Sequence, residues 1–457
     1  MGSGSKYQID MCHGPLLSKI VLVALPLMAA NVIQVLFNAV DMVVIGRYAD
    51  KPALAAVGSC AVLISMILSL FFGLSVGANV IVARHIGERD REETARSVHT
   101  AIAIALYGGI LLALAGVAAA KPVLVLMETP VEVLPKSTLY MWLYSLGIPL
   151  ILLFNFGNSI MSATGDTRRP LVYMIVGGAV KVALNLLLVR TFALDVVGAA
   201  LATLISNAVA AFLILRALSG LRDSTRLCRK QVRFHAANLA DILKIGIPAG
   251  VQSSLFGISN VIIQSSINSF GTDTMAGNAA AVSIETAVYV ASSAFYYAVI
   301  SFVGQNHGAK KYKRIAKSIW YCLLLSMASS VLVGWAAYFS GPYVLPLYNP
   351  DPAVVRLGLI RLDYVVTTYF IAAAMDITAG ALRGLGHSLT PMIVSVLGIC
   401  AFRIFWVVWI LPFRRDMGTL LVSYPISWIL VLAVNGAILF FVCRKLFRDA
   451  AHPVPTV

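Results

Sequence analysis

Between residues 17 and 443 the chain is an almost unbroken series of long apolar runs joined by short polar connections. A helix needs about 20 mainly apolar residues to cross the hydrocarbon core of a bilayer. Twelve runs reach or exceed that length: 17–46, 53–82, 95–119, 137–163, 170–191, 195–219, 242–270, 275–305, 314–340, 355–383, 391–412 and 418–443. Charged residues make up 12% of the chain, about half of the ~25% usual in a soluble protein. The expected fold class is an all-α polytopic membrane protein with twelve transmembrane helices. The leading MGSGS reads as a cloning scar and is set aside. The first apolar run ends without a small-residue cleavage site, so no removable signal peptide is expected.

The net charge is +15, which in another setting would suggest nucleic acid. Position decides otherwise. The N-terminus, the even-numbered loops and the C-terminus hold 23 Lys and Arg residues, and the odd-numbered loops hold nine, among them Arg356 and Arg361. The positive-inside rule then predicts that both termini are cytoplasmic. The basic excess is topogenic, and no nucleic-acid partner is expected. The six cysteines have no metal-ligand spacing, so neither a zinc site nor a disulfide framework is predicted.

The chain repeats itself. At an offset of 221, Gly87 falls on Gly308, Ala95 on Ala316, and GDTRRP (165–170) on GHSLTP (386–391); Asn155 then falls on Asp376. At 222, Pro26 falls on Pro248 and Asn38 on Asn260. Six spans per half is an even number, so both halves enter from the same side as a parallel repeat. The predicted organisation is the scar and N-terminus at 1–16, an N-lobe at 17–220, and a cytoplasmic linker at 221–241. A C-lobe at 242–443 and a C-terminus at 444–457 complete it. Two six-helix lobes around a cleft suit alternating access.

Candidate residues follow from polarity inside the spans. In the first, Asn31, Gln34, Asn38 and Asp41 step by 3, 4 and 3 and so share one helical face. The amides serve either function or interhelical hydrogen bonding, but a carboxylate within a span costs several kcal/mol and points to a functional site. Pro26 removes a backbone hydrogen bond and predicts a kink. Lys181, one turn before Asn185 in the fifth span, either pairs with Asp41 or snorkels. In the seventh span Asn260, Gln264 and Asn268 make a second stripe; in the eighth, Glu285, Tyr289, Ser292 and Tyr296 make a third. Glu285 lies ten residues into its span, roughly 15 Å deep at 1.5 Å per residue. Asp376 lies about 10 Å from its span's cytoplasmic end on the same rise. Arg403 in the eleventh span is the ion-pair candidate for either acid, as a structural bridge or as part of a site. A carboxylate beside aromatic rings suits a lipophilic organic cation. No HExxH or P-loop motif appears, and no GxSxG is flanked by the right elements, so the chain is expected to be no enzyme and no ATP-driven pump.

Taken together, LFNAVDMVVIGRY, ALAAVG with GLSVGANVIVARHIG, ALATLIS, GIPAGVQSSLFGISNVIIQSSINSFG, GALRGLG and SLTPMIVSVLG resemble the multidrug and toxic compound extrusion (MATE) family, of the bacterial multidrug/DNA-damage-inducible type. The resemblance runs from about Asp10 to Arg448. It implies secondary efflux of small organic cations by antiport with H⁺ or, alternatively, Na⁺, from a bacterial cytoplasmic membrane, by a monomer in the lipid bilayer without cofactor. It places cation coupling at Asp41, Asn185 and Thr203, with Na⁺ conceivable at Asp41 and Asn185; the family's further fifth-span Asp would fall at the apolar Val189. Substrate would meet Gln34, Phe37, Asn38 and Asn155 in one lobe. In the other it would meet Asn260, Gln264, Glu285, Tyr296, Asp376 and Arg403. Loss of one carboxylate favours H⁺. The alternative in the same fold is a flippase for lipid-linked saccharides or lipids, for which Lys181 and Arg403 would suit phosphate.

Overall fold

The computed structural model describes residues 7–48, 50–192 and 194–451; the predicted scar at 1–5 lies outside them. No strand occurs among the described residues. Eleven helices are long and apolar enough to cross a membrane: α1 (Leu16–Tyr48), α2 (Lys51–Glu88), α3 (Arg91–Leu126), α4 (Leu134–Ala163), α5 (Arg168–Thr191), α6 (Asp195–Ser219), α7 (Ala236–Asn268), α8 (Thr272–Gly308), α9 (Tyr312–Tyr348), α11 (Leu389–Phe413) and α12 (Met417–Asp449). The tenth span, α10, consists of Pro352–Val366 and Tyr369–Gly384 with a 40° bend between them. The chain is thus a multi-span membrane protein. Most helices run beyond their predicted apolar cores because polar turns at their ends continue the helical hydrogen bonding.

Local chemistry sets those ends. Asp50 accepts from the Ala53 amide at 2.8 Å ahead of α2, with Pro52 in the first turn. Asp90 accepts from the Glu92 and Glu93 amides at 3.0 Å ahead of α3. Asp351 and Asp416 do the same for α10 and α12. Such caps satisfy amides that the first helical turn leaves without partners. The sequence repeat returns as repeated local conformation. Arg89 ends α2 at φ 62° and Lys310 follows α8 at φ 54°, while Gly165 and Gly386 take φ 84° and 89°. Both pairs are 221 residues apart.

By contacts the chain forms two units, one of residues 7–10 and 29–247, the other of residues 11–28 and 248–451. The breaks fall beside Pro26 in α1 and at Pro248 in α7. The opening turns of α1 therefore belong with the second unit and those of α7, with residues 221–241, belong with the first. These limits differ from the predicted lobes at 17–220 and 242–443, since α1 and α7 each divide between the two units.

Within each unit, small residues let helices approach. In the first, a Cβ on Gly109 of α3 would lie 2.6 Å from the Pro149 Cα of α4, and one on Gly116 would lie 2.5 Å from Ser145 Oγ. In the second, Gly277 of α8 would meet the Val354 carbonyl of α10 at 2.5 Å. Lipid tails are as apolar as leucine, so packing of small residues does much of the work of helix association in a bilayer.

Candidate functional site

In the first unit the polar face of α1 meets α5. Gly178 of α5 has no Cβ, and the Phe37 ring fills the place where one would sit: a Cβ there would be 1.7 Å from the ring. This contact sets Asp41, one turn further along α1, against the next turn of α5. Asn185 Nδ2 donates to Asp41 Oδ1 at 2.6 Å. Lys181 forms an ion pair with Asp41 Oδ2, and both side chains are only 16% exposed. Of the two alternatives for Lys181, pairing with Asp41 is the one found. Directly after Asn185, residues Leu186–Thr191 take a π-helical turn. Such wide turns often mark functional positions in helices.

The other residues proposed for coupling lie differently. The Thr203 hydroxyl donates to the carbonyl of Ala199 in its own helix at 3.0 Å. Val189 is 1% exposed and packs with Val44, Ile45, Tyr140 and Ala199 in an apolar cluster. Gln34 and Asn38 are exposed, Phe37 and Asn155 half-buried, and Asn155 donates to the Ile151 carbonyl at 2.8 Å.

The second unit holds a longer polar chain. Gln264 donates to Asn268 at 2.8 Å, so the stripe on α7 is real hydrogen bonding. Asn278 of α8 donates to Gln264 at 3.2 Å and accepts from Arg361 of α10 at 2.8 Å. Arg361 reaches Glu285 Oε2 from Nε at 2.9 Å and from its second terminal nitrogen at 2.7 Å. Its guanidinium also lies 5.3 Å from the Tyr424 ring centre, and Arg403 covers the same ring at 3.9 Å.

Two expectations are corrected here. Arg403 pairs with neither Glu285 nor Asp376: its Nε donates to Ser427 Oγ at 3.3 Å and its cation rests on Tyr424. Arg361, assigned above to a loop, is buried at 5% exposure and is the partner of Glu285. Position in sequence concealed it, since it sits near the span's end beside Arg356 and Asp363. The signal that would have found the network is Asn278, seven residues before Glu285 and so on the same face of α8. Asp376 is half-buried and has no ion-pair partner among the described residues. Nearby on the same helix, Arg383 donates to the Tyr296 hydroxyl and, at 2.6 Å, to Gln252 Oε1. Asn260 is exposed.

Each unit thus encloses at least one acid answered by a base from a neighbouring helix. An apolar groove of about 530 Å³ is lined by Leu150, Leu204, Ile205, Ala208, Val209 and Phe212, none of them one of these acids. It lies between α4 and α6.

This architecture has close counterparts. The chain is 25% identical over 400 residues to the "Probable multidrug resistance protein YpnP" of Bacillus subtilis, covering 86% of this chain and 88% of that one. It superposes with a TM-score of 0.90 at 20% identity on a MOP superfamily transporter from Pyrococcus furiosus, described as having a binding pocket of reverse polarity, over 97% of this chain and 99% of that one. It superposes equally, at 0.90 and 20% identity, on a multidrug resistance MATE family transporter in an outward-facing conformation, over 98% of this chain and 100% of the other. The family model MatE matches twice, at residues 26–187 and 248–409, once in each half of the repeat. With both halves of the repeat matched, the chain belongs to the MatE family of multi-span membrane proteins.

Proposed function

We propose that this transporter exports small organic cations in exchange for inward H⁺, with Asp41 as the coupling carboxylate. The observation that supports this reading is the setting of Asp41. It is a poorly exposed acid among apolar residues of α1, held by a hydrogen bond from Asn185 and answered by the Lys181 ammonium. Protonation would remove its charge and its hold on Lys181, and so shift the balance of conformations by the difference in their stability. As a MatE family member the chain is a transporter and no enzyme. The names of its relatives, such as the multidrug resistance protein of B. subtilis, support a drug-like substrate.

The negative field for a cation is assigned to Asp376. Glu285, expected to share that role, has its charge offset by Arg361. Within the second unit, Tyr296, Asn260 and Gln264 would supply aromatic and amide contacts to a drug-like body. Gln34, Phe37, Asn38 and Asn155 are the substrate-contact residues proposed for the first unit taken by itself. Efflux of a fluorescent lipophilic cation is expected to fail in cells carrying Asp41→Asn. Proteoliposomes given a pH gradient and a Na⁺ gradient separately are expected to respond to the former alone. Wild-type efflux in Asp41→Asn would sink the assignment.

One observation favours the flippase reading as an alternative. Arg403 is 4% exposed and faces Tyr424 and Ser427, with no carboxylate partner among the described residues. A phosphate would satisfy it. Binding assays with a lipid-linked pyrophosphate against a lipophilic cation separate the two readings.

A further inference from the structure

The contacts of Lys181 carry a consequence for ion selectivity, one that rests on Asp41 being the coupling carboxylate. We propose that the Lys181 ammonium is a tethered cation: it occupies the position beside Asp41 that a coupling metal ion would take, and so excludes Na⁺ from this site.

Three features of the first unit support this. The side-chain oxygens gathered there are few: two from Asp41 and Oδ1 of Asn185. Asp41 Oδ2 is engaged by Lys181 and Oδ1 by Asn185 Nδ2. Asn185 is 1% exposed, and its Oδ1 is a buried acceptor without a hydrogen-bond partner. It is an oxygen held ready for a cation, on the same helical face as Lys181 four residues earlier. The next two positions contribute nothing further. The Thr203 hydroxyl is turned to the Ala199 carbonyl, and Val189 is packed in apolar surroundings. Hard cations in proteins gather about six oxygens or more, which this set falls well short of.

Charge leads to the same conclusion. Asp41 with Lys181 is neutral. A Na⁺ added to that pair would leave a net positive charge in surroundings that penalise uncompensated ions. Without the ammonium, the same place holds an unpaired carboxylate and the free Asn185 oxygen, which is a cation site. Because Lys181 is attached to the same chain, its competition with a dissolved ion is intramolecular and is not diluted.

The test is equilibrium Na⁺ binding by the purified full chain, measured with radioactive sodium against an N-methylglucamine background and by thermal unfolding. Wild type is expected to show no saturable Na⁺ binding at Asp41. Lys181→Met is expected to bind Na⁺ saturably and to gain a Na⁺-dependent rise in Tm of roughly 2–4 °C near saturation. Lys181→Met combined with Asp41→Asn is expected to lose both responses, and Lys181→Arg to behave as wild type. Saturable Na⁺ binding to wild type that Asp41→Asn abolishes would overturn the proposal. So would a folded Lys181→Met that ignores Na⁺. Should Lys181→Met not fold, Lys181→Gln replaces it, and the wild-type comparison with Asp41→Asn decides without either. Binding is read here apart from transport. Efflux that survives Asp41→Asn removes the coupling role and leaves these binding outcomes standing, whereas the outcomes above strike only the tethered cation.

Discussion

Glu285→Gln keeps the shape of the side chain and removes its charge. Arg361 would then stay charged at 5% exposure, with Asn278 and the Tyr424 ring as its remaining partners. The wild-type carboxylate receives two charge-assisted bonds through one oxygen, at 2.9 and 2.7 Å. Breaking a buried pair from one side typically costs ~3–5 kcal/mol, mostly the penalty of the orphaned charge. Glutamine still offers an acceptor, so the low end applies, about 3 kcal/mol. Arg361→Met orphans Glu285 and should cost a similar amount. The double variant leaves neither charge behind. Its loss should fall short of the sum of the single losses by ~2 kcal/mol or more, within the range measured for residues in contact. Chemical denaturation of the four purified proteins in mixed micelles measures the cycle. Single losses that add to within ~0.5 kcal/mol would refute the reasoning, because residues that do not interact behave that way. The folded Glu285→Gln protein should also bind a lipophilic cation as wild type does, since in the wild type Arg361 already offsets that charge.

Asp376→Asn is expected to weaken binding of a lipophilic monovalent cation by about tenfold, some 1.4 kcal/mol, with little change in unfolding; equilibrium binding of a fluorescent cation checks it. Gly178→Ala should displace Phe37 and destabilise by ~1–3 kcal/mol as overpacking does. It should also impair efflux, and Phe37→Leu in the same chain should restore part of the loss. Asp50 titrates below the usual carboxylate range, because Lys136 and then the Ala53 amide bond its ionised form. A carboxyl lowered on folding contributes stability above its unfolded pKa and loses it as pH falls through the folded value. The difference in Tm between wild type and Asp50→Asn should therefore hold constant from pH 8 to pH 5 and vanish only in strong acid; a difference already lost at pH 5 would contradict the capping geometry.

Much of the candidate site can be read from the sequence where the argument stays within one helix. Helical spacing puts Asp41 on the polar face of α1 and places Lys181 and Asn185 on one face of α5. It also makes Asn268 a partner for Gln264 on α7. Where two helices must be chosen as neighbours, spacing has less to say. Arg403 is the one cation on α11, whereas Arg361 shares α10 with Arg356 and Arg383. Which of them answers Glu285 depends on the rotation of α10 and α11 about their own axes, and Gly277 lets α10 approach α8 within contact distance. Thr203 shows a related limit. A hydroxyl in a helix can always turn to the carbonyl four residues back, and here it does.

The sequence alone determines the number of spans, the repeat and the buried acids, because the cost of placing polar groups in lipid is paid residue by residue and leaves its mark along the chain. Tertiary structure alone decides that Lys181 takes Asp41, that Arg361 takes Glu285, and that α1 and α7 divide between units beside their prolines. Those outcomes depend on which faces of separate helices meet, and an ion pair across 140 or 76 residues forms only when packing brings both partners to the same depth.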